Sequence, residues 1–349
     1  MVKKESFGKT PQGEELTLFT LSNDKSFEVK VTDLGAIIVS VLVQDKNEVM
    51  QDVVLGYDDA QGYYDGTYFF GALIGRNGNR IGKAKFTLNG KEYQLPVNDN
   101  ENNLHSNPNG FDKRKFDAEI TGESSVTMSL KDADMEQGFP GNFSMSVTYT
   151  VTDENALRIE YKAACDQDTV CNMTNHTYFN LSGHDSGSIE DTELYLSAKE
   201  FTPVIDHQAI PTGEYRAVKG TVFDFTTPKT IGRDIGADDE QLKFVGGYDH
   251  NWVIARDKGT TVRFAEAYSP KAGICLEAYT DLPGFQFYSG NFIDEGVKGK
   301  SGAVYGKRHG FCLETQYYPN AINQEGFAKP VLKAGETFES VTAYKFSVR

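Results

Sequence analysis

The chain has 349 residues, of which 39% are hydrophobic and 24% are charged, a composition typical of folded globular proteins and not of disordered or coiled-coil chains. Because 35 Lys and Arg residues stand against 50 Asp and Glu residues, the net charge of -15 repels phosphate backbones and anionic lipid surfaces, and we expect neither nucleic acid nor a membrane as a partner. No apolar run reaches the length of a membrane span and no hydrophobic signal segment follows the opening lysines, so we expect a cytoplasmic location.

Hydrophobic residues recur at every second position in many segments, which is the period of a β-strand with one buried face. In chain order, these segments predict strands over 27–31, 37–43, 126–130, 143–151, 157–161, 194–196 and 262–264. Asn89-Gly90 stands between two further alternating segments, and this dipeptide favours the positive φ angles of a tight turn. It therefore predicts an antiparallel hairpin over 84–95. Helical patterns are short, as at 234–243.

The strand-like segments form one uninterrupted series. No Ser-, Pro- or Gly-rich linker, low-complexity tract or block of like charge divides the chain, so we expect a single domain over 1–349. An open twisted sheet rarely exceeds about ten strands without curling or splitting into packed layers. We therefore predict an all-β fold in the form of a large antiparallel β-sandwich.

Motifs for nucleotides, metals and disulfides are missing. Gly8-Lys9-Thr10 resembles the end of a phosphate-binding loop, but position 3 is lysine where that loop needs glycine. No two of the six histidines have the i, i+4 spacing of a helical zinc site, so we predict no metal. The four cysteines form no CxxC pair, and we expect buried, reduced thiols.

Five polar clusters contain the residues best suited to chemistry. They are GRNGNRIGK (75–83), NNLHSN (102–107), TNHTYFNLSG (174–183), YDHNW (248–252) and GFCLETQYYPNAIN (310–323). Each also has a structural interpretation: polar turns for the first two, a hydrogen-bonded histidine at His176, a strand end at 248–252 and an ion-paired carboxylate at Glu314. Together they supply amides, guanidinium groups, imidazoles and carboxylates beside aromatic rings, a combination that suits the hydroxyls and C–H face of a sugar.

These clusters, with GFQFYSGNF (284–292), carry a resemblance to the aldose 1-epimerase (galactose mutarotase) family over essentially the whole chain. The resemblance implies a large antiparallel β-sandwich, no cofactor, Glu314 as general base and His176 as general acid. It further implies that the pocket for a monosaccharide is lined by Asn79, Arg80, His105, Asp249 and Gln286. Two departures bear on substrate preference: Ser106-Asn107 replaces two glycines that are usual in the family, and YTDLPGF (279–285) differs from the usual sequence before Gln286.

Exchange of anomers needs one proton removed from O1 and one delivered to the ring oxygen O5, so we expect Glu314 ionised and His176 protonated. The residue types alone allow the reverse assignment. Three other functions compete: a non-catalytic, lectin-like sugar-binding module, an epimerase for a sugar phosphate held by Arg76, Arg80 and Lys83, and hydrolysis of a glycoside by Asp249 and Glu314. We expect a monomer or a weak homodimer.

Overall fold

The protein is described by a computed structural model that covers residues 2–349. Strands make up 44% of it and helices 9%. The strand pairs of its three larger sheets are all antiparallel. The predicted all-β class is therefore confirmed.

The strands are numbered in chain order. Those of the first half are β1 (Val2–Lys9), β2 (Glu15–Ser22), β3 (Glu28–Thr32), β4 (Ile37–Gln44), β5 (Met50–Asp52), β6 (Leu73–Ile74), β7 (Arg80–Ile81), β8 (Lys85–Leu88), β9 (Lys91–Gln94), β10 (Asn103–Leu104), β11 (Asp117–Gly122), β12 (Ser125–Asp132), β13 (Phe143–Val151), β14 (Ala156–Cys165), β15 (Thr169–Val170) and β16 (Thr174–Asn175). Those of the second half are β17 (Glu193–Leu196), β18 (Glu200–Thr202), β19 (Arg216–Ala217), β20 (Lys229–Thr230), β21 (Asp249–Val253), β22 (Val262–Tyr268), β23 (Ile274–Thr280), β24 (Gly284–Tyr288), β25 (Val297–Lys298), β26 (Val304–Tyr305), β27 (Cys312–Gln316), β28 (Val331–Leu332) and β29 (Thr337–Val348).

Helices are few and short. The α-helices are α1 (Ala60–Asp65) and α2 (Glu240–Val245), and short 3-10 turns occur at Gly82–Ala84, Phe111–Lys113, Glu136–Gly138, Ile231–Arg233, Lys300–Gly302 and Ala321–Asn323. The helix predicted over 234–243 begins at residue 240, because the Asp239 side chain caps it by accepting from the backbone N–H groups of the first turn. Within residues 2–349, no helix combines the length and hydrophobicity that crossing a membrane requires.

The predicted strands and hairpin are present. The alternating segments coincide with β3, β4, β12, β13, β14, β17 and β22. Strands β8 and β9 pair as the predicted hairpin, and Asn89 (φ 52°) and Gly90 (φ 77°) both adopt the left-handed conformation at its turn.

Three sheets contain five or more strands. The N-terminal sheet has the order β1-β2-β3-β4-β5, and the nine-stranded sheet has the order β11-β12-β13-β14-β29-β23-β22-β17-β20. The third, which we call the pocket sheet, has the order β19-β18-β21-β24-β27.

The pocket sheet packs face to face on the nine-stranded sheet, as in the predicted sandwich. The rings of Phe264 on β22 and Phe285 on β24 are 4.4 Å apart, and the Tyr344 hydroxyl on β29 donates to the Leu313 carbonyl on β27 at 2.8 Å. Successive side chains of a strand point to opposite faces. Gln286 and Glu314, each next to one of these core residues, are therefore directed away from the hydrophobic core.

Candidate active site

A cavity of about 320 Å³ lies on the face of the pocket sheet that points away from the core. Six of the seven residues predicted to form the sugar site line it: Asn79, Arg80, His105, His176, Asp249 and Glu314. Arg80, Asp249 and Glu314 lie on β7, β21 and β27, and the other three directly adjoin β7, β10 and β16, so elements distant in sequence meet at one pocket.

The seventh predicted residue, Gln286, is connected to this cavity through Asp249, which lines it. It stands opposite Glu314 in the β24–β27 ladder and is buried. Its Nε2 donates to Asp249 Oδ1 at 2.8 Å. Gln286 therefore orients a carboxylate of the pocket wall.

Glu314 and His176 are neighbours at the base of the pocket. His176 Nε2 lies 3.6 Å from Glu314 Oε1, and both side chains are almost fully buried, with 6% and 3% exposed. Glu314 Oε2 has no hydrogen-bond partner. A buried, unpartnered carboxylate oxygen is costly unless a ligand satisfies it, so it marks an acceptor available to a hydrogen-bond donor of a ligand.

Burial sets the protonation of this pair. It raises the pKa of Glu314 well above its ordinary value, helped by the charge of Asp249 and opposed by Arg80. Burial also lowers the pKa of His176 to about 4. Both shifts have the same main cause, because burial penalises the charged form of each group, and both therefore disfavour the ionised Glu314 and protonated His176 that the mechanism is expected to use.

His105 and Asn79 form a rigid corner of the pocket. Both residues have left-handed backbones, with φ of 57° and 59°. The Asn79 backbone N–H donates to His105 Nδ1 at 3.1 Å. Since burial lowers the pKa of His105, its imidazole is neutral and carries the proton on Nε2. That N–H is available as a donor to a sugar oxygen.

His105, His176 and Glu314 also form the type of cluster that can hold a metal ion, with one ligand atom from each within 4.8 Å of the others. A metal needs the lone pair of an imidazole nitrogen. His105 already uses its Nδ1 lone pair to accept from Asn79 and keeps a proton on Nε2. The donor set therefore fits hydrogen bonding to a sugar better than it fits a metal ion.

The pocket has one cation and several carboxylates. Arg80 Nε donates to Asp99 Oδ2 at 2.7 Å, so most of its charge is compensated. Burial raises the pKa of Asp249, while the charge of Arg80 and the hydrogen bond from Gln286 oppose that rise. The exposed Asp294 stands at the pocket mouth and accepts a hydrogen bond from the Tyr68 hydroxyl at 2.7 Å.

Arg76 and Lys83, the other residues considered for a phosphate cradle, lie elsewhere. The Arg76 side chain is wholly buried, where it pairs with Asp132 at 2.6 Å and donates to the carbonyls of Pro140 and Gly141. Lys83 lines a separate cavity of about 410 Å³, which contains none of the predicted site residues. The structure therefore does not assemble the phosphate cradle.

Several pocket residues were not predicted from the sequence. They are Thr67, Tyr68, Phe69, Leu104, Tyr178, Tyr288, Phe292 and Asp294. Tyr178, Tyr288 and Phe292 fall within the motifs that carry the resemblance, so their aromatic character was a usable signal. Phe69 and Asp294 lie outside those motifs, and nothing in their local sequence separates them from ordinary loop residues.

Comparison with known proteins agrees with this geometry. A family model described as aldose 1-epimerase matches residues 17–345. The chain is 42% identical to galactose mutarotase of Bos taurus, with 99% of each chain covered, and 36% identical to aldose 1-epimerase of Escherichia coli, with 96% of each covered. Among solved structures, the aldose epimerase homologue of C. elegans superimposes with a TM-score of 0.87 at 29% identity, covering 99% of each chain. The galactose 1-epimerase of Lactobacillus acidophilus also gives 0.87, at 27% identity, over 100% of this chain and 99% of that one. The chain belongs to the aldose 1-epimerase family.

Proposed function

We propose that this protein interconverts the α and β anomers of free aldoses such as D-galactose and D-glucose, with Glu314 as general base and His176 as general acid. The observation that carries the proposal is the 3.6 Å approach of these two groups at the base of a buried pocket. The relatives named galactose mutarotase and aldose 1-epimerase support the same activity.

The reaction explains why the two groups must be adjacent. Ring opening removes the proton of O1 and adds one to O5; the new aldehyde turns about the C1–C2 bond, and closure on its other face reverses both transfers. O1 and O5 are attached to the same carbon, so the base and the acid must stand side by side. Each positioned group contributes about 10²- to 10⁴-fold in rate.

The pair shares a proton that can move without changing the net charge of the site. The reaction starts from the arrangement with that proton on His176 and a carboxylate at Glu314. Two features favour this arrangement. The charge of Arg80 opposes the rise in the pKa of Glu314, and the hydroxyls of a bound sugar supply hydrogen bonds to Glu314 Oε2, which has no partner among the described residues.

Other groups of the wall suit the rest of a neutral sugar. His105 Nε2–H and Arg80 are donors, and Asp249, held by Gln286, is an acceptor. The rings of Tyr288 and the exposed Phe292 offer apolar surface to C–H groups.

A free aldose fits this pocket better than a sugar phosphate does. Asp249, Asp294 and Glu314 all line the cavity. Arg80 is the only Lys or Arg among its described lining residues, and Asp99 compensates its charge. A phosphate dianion would meet carboxylates without the arginine and lysine groups that phosphate binding needs.

The test is polarimetry of freshly dissolved α-D-galactose and α-D-glucose with wild type, Glu314→Gln and His176→Asn. Glu339→Gln and His207→Asn, at exposed positions, are matched controls. We expect the wild type and both controls to accelerate the change of optical rotation. We expect each site variant to lose about 10²- to 10⁴-fold in kcat. Calorimetry checks that the site variants still bind galactose.

Two results would overturn the proposal. A wild-type protein that binds galactose but leaves the rotation at the buffer rate is a sugar-binding module without this activity. Site variants that keep the wild-type kcat would show that Glu314 and His176 are not the acid–base pair.

A further inference from the structure

Phe69 lines the pocket in a backbone conformation that phenylalanine rarely adopts. Its φ of 58° lies in the left-handed region, where the Cβ of an L-residue is crowded by its own backbone. Strain of this kind persists only where surrounding structure enforces it, and such positions concentrate at functional sites.

Backbone hydrogen bonds hold this segment against His176, which directly follows β16. The Ala72 N–H donates to the Phe69 carbonyl at 3.0 Å, which closes a tight turn. The Gly71 N–H then donates to the His176 carbonyl at 3.0 Å, and the His176 N–H donates to the Ala72 carbonyl at 2.9 Å. The Asn175 side chain adds a bond to the Gly71 carbonyl at 2.9 Å. The position of Phe69 is thereby fixed relative to His176.

The Phe69 ring lies close to both pocket histidines. Its centroid is 5.7 Å from that of His176, with the planes inclined by 33°, and 5.0 Å from that of His105. Tyr178 is a second ring near His176, at 5.0 Å and 29°. An aromatic face within about 6 Å of a cation attracts it electrostatically, and more strongly where water is excluded.

The protonated form of His176 has few other sources of stabilisation. The titratable groups near its ring are Glu314, His105, Cys312, Tyr178 and Tyr288. Glu314 approaches Nε2, and the thiol of Cys312 lies 3.6 Å from Nδ1. Burial raises the pKa of Cys312 and of both tyrosines, so these three groups stay neutral, as does His105. Apart from Glu314 and a backbone hydrogen bond at His176, the rings of Phe69 and Tyr178 are the neighbouring groups that favour an imidazolium.

We propose that Phe69 is a positioning residue whose ring, fixed 5.7 Å from the His176 ring by the hydrogen bonds of its turn, stabilises the imidazolium that protonates the sugar ring oxygen. This inference rests on the proposed function for its role in the reaction. The interaction between the ring and the imidazolium does not depend on that function and can be measured without substrate.

The experiment replaces Phe69 by mono-, di- and trifluorophenylalanine through nonsense suppression, and by leucine. Fluorine withdraws electron density from the ring face and changes its size little, whereas leucine keeps an apolar cover without a π-system. Phe244→Leu, at a half-buried phenylalanine packed in a different cluster, is the matched control. Histidine-labelled NMR at one acidic pH gives the ratio of protonated to neutral His176, with His176→Asn used for assignment. Polarimetry gives kcat and KM.

We expect that ratio to fall stepwise with fluorination, by about threefold to thirtyfold in total, and kcat to fall in parallel while KM changes less than about twofold. Phe244→Leu leaves both quantities unchanged. An unchanged ratio of protonated to neutral His176 across the fluorine series would overturn the proposal. An increase in KM with unchanged kcat would also overturn it, because Phe69 would then be a sugar contact only. If the wild type does not mutarotate sugars, the proposed function fails, and the NMR ratio alone decides the role of Phe69.

A second pair of variants tests the strain. Phe69→Ala and Phe69→Gly both remove the ring, but only alanine keeps a Cβ at φ 58°. We expect the glycine variant to unfold at a higher urea concentration than the alanine variant, with equally reduced kcat in the two. Greater stability of the alanine variant would show that the backbone at this position is unstrained.

Discussion

Replacement of Gln286 by methionine tests how the pocket keeps Asp249 ready to bind a sugar hydroxyl. The Gln286 side chain is 3% exposed and donates to Asp249 Oδ1 at 2.8 Å. Methionine fills a similar volume without a donor. A hydrogen bond to a charged group contributes about 1.5–3 kcal/mol, which corresponds to about a 10- to 150-fold change in the ratio of ionised to neutral Asp249.

The direction of the effect follows from the environment of Asp249. Burial already raises its pKa, and Gln286 opposes that rise, so loss of Gln286 raises the pKa further. The ionised carboxylate, which is the better acceptor for a hydroxyl, is then lost at a higher pH than in the wild type. We expect the KM for galactose to increase most at the acidic end of the pH range, by up to about 10- to 150-fold, and the difference from the wild type to shrink as the pH rises and Asp249 ionises in both proteins.

Polarimetric measurement of kcat and KM between pH 5 and 9 checks this prediction. Gln316→Met is the matched control, because Gln316 is a buried glutamine of the same sheet whose bonds go to Asn251 and Gln286 instead of Asp249. A KM that is unchanged at every pH, or one that rises equally in the control, would refute the reasoning.

Three further changes have defined outcomes. Arg76→Ala removes a guanidinium that is wholly buried against Asp132, and we expect a loss of about 3–5 kcal/mol in urea unfolding; a loss below about 1 kcal/mol would mean that Asp132 is satisfied without it. Gly90→Ala puts a Cβ at φ 77° in the hairpin turn, and we expect a loss of about 1 kcal/mol with unchanged mutarotation; an equally stable variant would contradict the left-handed turn. Burial lowers the pKa of His250 to about 3, below its unfolded value, so the wild type loses stability as the pH falls below about 6.5. We expect His250→Phe to reduce the change of unfolding free energy with pH by up to about 1.4 kcal/mol per pH unit. An identical pH dependence of the unfolding free energy in wild type and variant would show that His250 does not contribute to it.

The sequence predicted the sheet elements well because alternation and turn chemistry are local. The strand at 143–151 and the Asn89-Gly90 hairpin can be recognised from a few adjacent residues. The position of a side chain relative to the pocket, in contrast, depends on residues that are distant in sequence. No pattern in the sequence shows that Gln286 donates to Asp249, because the two residues are brought together only by the pairing of β21 with β24. Likewise, Arg76 and Arg80 are close in sequence, but one is buried in the scaffold and the other lines the pocket.

The protonation of the pair could not be predicted for a related reason. Residue types allow Glu314 and His176 to exchange roles, and the resemblance gave only one assignment. The direction of each pKa shift depends on how many buried neighbours and charges surround the group, which is a property of the assembled pocket. Phe69 was not predicted because its proposed role depends on a positive φ angle and on ring contacts with His105 and His176. No periodic pattern in the sequence indicates either feature.

The strand order of the nine-stranded sheet constrains how the molecule is made. Strand β29 follows every other described strand in sequence, yet it lies in the middle of the sheet, between β14 and β23. During synthesis, β14 and β23 therefore remain unpaired edge strands of the two halves of this sheet until Thr337–Val348 has left the ribosome. Unpaired edges of that kind template pairing between chains. The same insertion therefore both completes the sheet beneath the pocket sheet and removes two edges at which copies of the chain can associate.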